Sequence, residues 1–456
     1  MKKDNNQKLS VLWSLLCLFF FVILFNSCYN NEDDPVYENL KELVVSNTAV
    51  NLEYGDSTTV TISQGNGGYE AVVEDNSIAE VSVISNTVKI KALKSGSTNI
   101  TVRDQKGKTQ NIVVTVAAPV NIETNEFITV WKTDNEGTSN STSVTLPVSG
   151  SYIVKWEEVG KSSHKGQEEY SDITPANYPT IDFGSVGMYR VRITAKDAEK
   201  PFGFIFDTYS APALDGLKLI RVERWGVNKW PSAASMFAQC RNMDVTATDV
   251  PDFSACDGKM YNMFYHCENL VGNTSFAEWN VSMMWHMNEL FAYCYKFNQN
   301  INAWNTKGGY LMSAIFKGCT VFNQPLDNWN LKNAANLSGF FENATSFNQD
   351  ISSWELPNAE NLSYMFNHAT AFNRSLGSWT LEKVTNMEEM LTNCGMKSKN
   401  YDATLKGWAE NAKTPNNMKL GANSLVYSSA GKDAHKILTD TKGWTITGDS
   451  YNASGN

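Results

Sequence analysis

The chain has 456 residues, 42% of them hydrophobic and 12% aromatic, enough to bury several cores and to make about three domains. Its formal net charge is −10 with no dense Lys/Arg run, which argues against a nucleic-acid partner, because phosphate neutralisation needs a basic face. None of the eight cysteines forms the close C-x-x-C pair of zinc or thioredoxin-like sites.

Lys2, Lys3 and Lys8 form a basic start, and residues 9–25 are an almost unbroken apolar run of signal-peptide length. Phe25-Asn26-Ser27-Cys28 and the polar Tyr29-Asn30-Asn31-Glu32-Asp33-Asp34-Pro35 follow. A small residue before a cysteine at this place resembles a bacterial lipobox, with Phe25 and Asn26 replacing the usual Leu and small residue. The resemblance implies that Cys28 is diacylated and becomes the mature N-terminus, residues 1–27 being removed. Glu32-Asp33-Asp34 resembles the acidic export tag of Bacteroides-type lipoproteins, so residues 28–39 are expected to be an acidic tether. Together these imply a lipid anchor in the outer membrane, facing the exterior. An ordinary signal peptide or an uncleaved anchor with an incidental cysteine is the other reading.

Residues 40–118 change to short alternating segments: Val44-Val45, Thr58-Val60-Ile62, Ala79-Val81-Val83, Val88-Ile90, Thr98-Ile100-Val102 and Ile112-Val114-Val116. Period-2 alternation with Gly/Asn/Asp punctuation predicts a β-sandwich. Ile78-Ala79-Glu80-Val81 and Gly96-Ser97-Thr98-Asn99-Ile100-Thr101-Val102 resemble the bacterial immunoglobulin-like group 2 domain, which implies a spacer or part of an adhesin. Ala117-Ala118-Pro119 reads as a linker. A second β domain is expected over 123–212, from Phe127–Trp131, Ser143–Leu146, Tyr152–Trp156 and Met188–Ile193. It is similar to the β domain that precedes repeats in related surface proteins. The Trp-Gly-Asp-Gly continuation of polycystic-kidney-disease-type domains is replaced by Trp156-Glu157-Glu158-Val159, so no calcium or carbohydrate site is inferred.

Residues 213–394 carry a repeat. Trp279, Trp304, Trp329, Trp354 and Trp379 recur every 25 residues, in phase with Phe297/Phe322/Phe347/Phe372 and Phe291/Phe316/Phe341/Phe366/Leu391. Phe237, Phe264 and Phe291 are 27 apart. Such a period predicts a solenoid whose repeats bury their faces on one another. In one repeat, Leu337, Phe340 and Phe341 have i, i+3, i+4 spacing and predict a short helical turn. Phe347, Ile351 and Trp354 follow in an extended stretch, expected to join its neighbours in a parallel sheet. A small apolar slot holds Cys240, Cys267, Cys294, Cys319, Ala344, Ala369 and Cys394, read as buried thiols, although neighbouring pairs could bridge. Asn298, Asn323, Asn348 and Asn373 are read as inward residues that bond backbone groups of adjacent repeats.

The motif Met-Phe-x-x-Cys/Ala-x-x-Phe-Asn-Gln-x-Ile-x-x-Trp resembles the repeat of BspA-like surface lipoproteins, relatives of leucine-rich repeats. The expected fold is therefore β-rich and multidomain: an Ig-like sandwich, a second β domain, then an α/β right-handed leucine-rich-repeat-like solenoid. Residues 395–456 are expected to be a C-terminal cap. No metalloprotease His pair, nucleophile elbow or phosphate loop occurs, so no enzyme, catalytic residue, metal or cofactor is expected, and His286 and His368 are read as satisfied or solvent-facing. The family resemblance implies adhesion to a host or bacterial surface protein. Glycan capture feeding polysaccharide uptake is the alternative, since thirteen tryptophans could stack on sugars. A structural coat component is a third reading.

Overall fold

A computed structural model describes residues 40–53, 56–94, 96–117, 125–206 and 214–456. The leader, Cys28, the acidic tether and the 118–119 linker lie outside the described residues. The chain divides into two compact units, Met1–Ala118 and Pro119–Asn456.

In the first unit eight strands make two four-stranded sheets around one apolar core. They are β1 (Val44–Val45), β2 (Ala49–Glu53), β3 (Ser57–Gln64), β4 (Glu70–Val73), β5 (Ala79–Ile84), β6 (Thr87–Ala92), β7 (Gly96–Arg103) and β8 (Thr109–Ala117). The sheet orders are β1-β3-β6-β5 and β2-β8-β7-β4, with β2 parallel to β8. Alternation does the sorting: Val88, Ile90 and Ala92 of β6 are buried while Lys89 and Lys91 are exposed. Each such Val or Ile contributes about 1.5–3 kcal/mol by leaving water. Strands β2 and β4 join the six alternating segments read from the sequence.

The second unit opens with β9 (Phe127–Lys132), β10 (Ser143–Thr145), β11 (Val148–Glu158), β12 (Lys161–Ile173), β13 (Thr180–Asp182), β14 (Met188–Ala195), β15 (Gly203–Phe204), β16 (Leu219–Arg224) and β17 (Asp244–Val245). One sheet runs β12-β11-β14-β9-β16-β17, and β15 also pairs with β11. The β16–β17 pairing is parallel and carries this sheet directly into the first repeat. One apolar core extends from Phe127 through the repeats to Trp444.

The repeats overturn the expected α/β leucine-rich-repeat-like solenoid. Between β17 and residue 397 the described chain has no α-helix and no strand, only one 3-10 helix (Thr274–Glu278) and isolated parallel bridges. These bridges are Lys259↔His286, His286↔Leu311, Leu311↔Asn336, Asn336↔Asn361 and Asn361↔Asn386, one per step rather than a continuous sheet.

Backbone conformation is the cause. Two residues per repeat are left-handed: Glu289 and Tyr293, Ala314 and Gly318, Gly339 and Asn343, Tyr364 and His368, Glu389 and Asn393, at φ +53° to +71°. Alternate peptides then split their bonding. The N–H groups of Leu290, Ala292 and Cys294 close turns onto Met287, Glu289 and Phe291. Those of Met287, Glu289, Phe291 and Tyr293 reach the carbonyls of Leu311, Ser313, Ile315 and Lys317 in the next repeat, at 2.7–3.0 Å. The segment predicted to be helical is therefore the one that joins repeats, and the segment predicted to form a sheet is not. A continuous helix would bond each N–H beyond its first turn to its own carbonyls and could not donate across at every second residue.

Side chains connect the other segment. The indole N–H groups of Trp304, Trp329, Trp354 and Trp379 donate to the carbonyls of Phe276, Ile301, Leu326 and Ile351, at 2.6–3.1 Å. Trp279 to Trp379 are buried; Trp279 and Trp304, Trp304 and Trp329, and Trp354 and Trp379 stack 6.1–6.3 Å apart, while Trp329 and Trp354 both meet the Phe340 ring edge-on. Asn298, Asn323 and Asn348 each accept from the N–H of the next asparagine in the column at 2.9–3.0 Å, and Asn373 accepts from Lys397 at 2.8 Å. They do this from exposed (Asn298, Asn323) or half-buried (Asn348, Asn373) positions, not from the expected inward one. The slot cysteines are free and buried. Thiols of Cys267, Cys294 and Cys319 donate to the carbonyls of Phe237, Phe264 and Phe291 at 2.9–3.1 Å, and burial pushes all three well above the usual thiol range.

After the last repeat comes α1 (Ser398–Glu410), which buries Tyr401, Leu405 and Trp408 at i, i+4, i+7. The Trp408 indole donates to the Leu376 carbonyl at 3.0 Å, extending the tryptophan ladder by one rung. The N–H groups of Leu391 and Asn393 pass to the carbonyls of Gly421 and Asn423, so backbone pairing continues into β18 (Lys419–Gly421) and beyond.

Candidate functional site

The turn segments joined by backbone bonds present one continuous face, here called the ladder face. Its composition changes along its length. In the early repeats it is aromatic. Trp285 is 39% and Tyr310 51% exposed, at the same register position in consecutive repeats and linked by the Tyr310 N–H donating to the Trp285 carbonyl at 3.0 Å. His286 lies 5.3 Å from Trp285 and 4.6 Å from Tyr261, centroid to centroid. In the same turns His266 stacks on Tyr293 at 4.3 Å, with Tyr265 edge-on to both. In the later repeats the position of Trp285 and Tyr310 is taken by Ala335, Glu360 and Thr385, and that of His286 by Asn336, Asn361 and Asn386.

The aromatic rings are held in place. Trp285 donates its indole N–H to the Asp257 carbonyl at 3.3 Å and lies over Gly258, where a Cβ would sit 2.6 Å from the ring. Gly258 is also left-handed, at φ +78°, so any side chain there is strained as well as obstructed. Burial depresses His286, and Lys259 depresses it further. Burial likewise depresses His266, with Glu268 opposing and Arg241 adding to the shift. Both shifts favour the neutral imidazole. Glu289, on the same face, is pushed up by burial against the pull of Lys317, whose ammonium sits 2.8 Å from Glu342. The face mixes charges and has no dominant sign.

Two shallow open clefts follow Tyr310. One of about 320 Å³ is lined by Gly308, Tyr310, Asn333, Ala335, Asn358 and Glu360. The next, about 590 Å³, begins at the same Glu360 and runs past Lys383 and Thr385 to Asn416 and Met418. The amides of Asn333 and Asn358 donate to the carbonyls of Lys307 and Lys332 at 2.9 and 2.8 Å, which orients both side chains identically.

The sequence named Cys28 as its one site residue, and Cys28 lies outside the described residues. The tryptophan ladder, considered as a stacking platform, is buried and takes no part in any surface. His286 and His368 sit in the interlocked turns rather than in helices, His368 being left-handed and hydrogen-bonded to Asn367 and Asn393. Trp285 and Tyr310 were not singled out, yet one signal marks Trp285: it is a tryptophan out of phase with the 25-residue column. Among the described residues no group of three or more His, Cys, Asp or Glu could hold a metal ion, and no helix is long and apolar enough to cross a membrane.

No curated protein matches the chain. Residues 231–346, 257–376 and 310–408 match, in overlapping registers, the model of a family described as Mycoplasma protein of unknown function, DUF285, and to that family the repeat region is similar.

Proposed function

We propose that the chain is a surface-displayed binding protein whose ladder face engages an extended macromolecule. The observation that carries this reading is the cluster of partly exposed, fixed aromatic side chains on a face built from equivalent positions of successive repeats. Long surfaces of this kind suit long ligands, since each repeat adds an equivalent contact. Aromatic anchors held in one orientation lose little entropy on binding. The lipobox-like leader supports display from the outer membrane, with Cys28 as the acylated residue and the first unit as a spacer. The resemblance to BspA-like lipoproteins supports the same placement.

Two measurements test it. Cells fed a labelled fatty acid are expected to label the wild-type chain and not Cys28→Ser; equal labelling would end the lipoprotein reading. The purified chain from residue 29 is expected to bind saturably to at least one member of a panel of matrix proteins, mucins and polysaccharides. That binding is expected to fall in Trp285→Ala and Tyr293→Ala at unchanged melting temperature. Binding indifferent to both substitutions would remove the ladder face from the function.

A further inference from the structure

Resting on that reading, we infer that the ligand of the ladder face is an uncharged polysaccharide, seated from Trp285 across Tyr310 and along the Asn333–Asn358–Glu360 cleft. Three observations converge on this chemistry. First, Trp285 and Tyr310 stand at one register position in consecutive repeats, both substantially exposed, and the indole is immobilised by Asp257, Gly258 and His286. A fixed, solvent-facing ring is a platform for a flat, weakly polar face such as the C–H face of a pyranose. Second, the cleft beyond Tyr310 presents the same amide twice, at Asn333 and Asn358, one repeat apart. Each spends an N–H on the backbone carbonyl of the preceding repeat, and the Asn358 oxygen also accepts from the Lys383 ammonium at 2.6 Å, so both amides are aimed by the protein rather than by the ligand. Fixed amides repeated at a step of about 4.8 Å match a polymer that offers hydroxyl groups at regular intervals. Glu360 adds a stronger acceptor at the far end.

Third, the groove carries no cluster of positive charge. Lys383, whose ammonium donates to Asn358 Oδ1 at 2.6 Å, lines the adjoining cleft beside Glu360 and Glu382, so a sulfated or uronate polymer would meet no net positive charge there. A folded protein partner would favour a desolvated apolar patch closed by a polar rim. Here the apolar rings sit at one end of an open polar trough instead.

The experiment uses the full chain from residue 29. Affinity electrophoresis in gels containing a neutral β-glucan, an α-mannan or a galactan is run beside gels containing a polyuronate. Surface binding to a mucin is measured before and after enzymatic deglycosylation. Retardation by one neutral polysaccharide is expected, with affinity falling about tenfold in Trp285→Ala and in Tyr310→Ala and several-fold in Asn333→Ala. All three residues are exposed at the surface, so unchanged melting temperatures will show that the variants are folded. A tryptophan emission shift on titration, absent from Trp285→Phe, would place the sugar on that ring. Mucin binding that survives deglycosylation but falls in Trp285→Ala would overturn the polysaccharide assignment and leave the ladder face as a protein-binding surface. Polysaccharide binding unchanged in all variants would overturn both. Preference for the polyuronate, or no retardation by any neutral polymer, would overturn the assignment alone.

Discussion

The two units close their backbone hydrogen bonds by different means. In residues 40–117 strands pair in extended conformation, and alternation alone decides which side chains face the core. In the repeats, left-handed residues twice per step turn alternate peptides outward, and the intervening segment relies on indoles and asparagines to reach the next repeat. The contrast shows that a repeat array needs a periodic supply of donors and acceptors, not regular secondary structure. Where the backbone cannot provide them, a fixed side chain does.

The strongest way to break this contrast is to remove a rung. Trp329→Ala takes away a buried ring and leaves the Ile301 carbonyl without its donor, and should cost about 3–5 kcal/mol. Because one core spans the second unit, chemical denaturation should show that unit losing stability as a whole while the first is unchanged. Ile100→Ala should do the converse, costing about 2–5 kcal/mol in the first unit and leaving the second intact. A single transition shifted by both would refute the division.

Trp329→Phe keeps a ring but deletes the indole N–H, and is expected to cost about 1–2 kcal/mol by denaturant melting. A neutral outcome would show that the bond is incidental to stacking. Asn323→Ala frees the exposed Asn348 N–H and should cost about 0.5–1 kcal/mol, with Asn323→Asp restoring most of it because the carboxylate still accepts.

The smallest effect is pH dependence. His266 and His286 have folded-state values below their ordinary ones, so the unfolded chain binds more protons as pH falls through that range. Their contribution is complete above about pH 6.5 and declines below it. A modest drop in melting temperature between pH 7 and 5 is expected, reduced in the His266→Phe, His286→Phe double variant. An identical profile in that variant would assign the drop to other groups.

The sequence shows its repeat because the buried columns demand the same large side chain at every step. Trp304, Trp329 and Trp354 admit no substitute that both stacks and donates. The backbone geometry left no such trace. The left-handed positions hold Glu289, Tyr293, Ala314 and His368 as readily as Gly318 and Gly339, so the two glycines mark no recurring turn. The spacing of Leu337, Phe340 and Phe341 imitates a helix because interlocked turns also return the chain to one side every three or four residues. Strand β12 was hidden for a different reason: as an edge strand it has no fully buried face, and Lys161 to Ile173 shows no apolar alternation. Trp285 and Tyr310 were obscured by the stronger periodic signal around them.

Within the turns the backbone bonds run forward, Met287, Glu289, Phe291 and Tyr293 donating to the repeat that follows, while at the entrance of each turn Tyr310, Ala335, Glu360 and Thr385 donate back to the repeat before. At the start, the Phe206 N–H donates to the Ser235 carbonyl; at the finish, the Gly421 and Asn423 carbonyls receive the last donors. Such a repeating seam lets a whole 25-residue module be added or removed with both cut ends still matching. The gene can therefore lengthen or shorten the exposed surface by duplication or deletion, without redesign of either terminus.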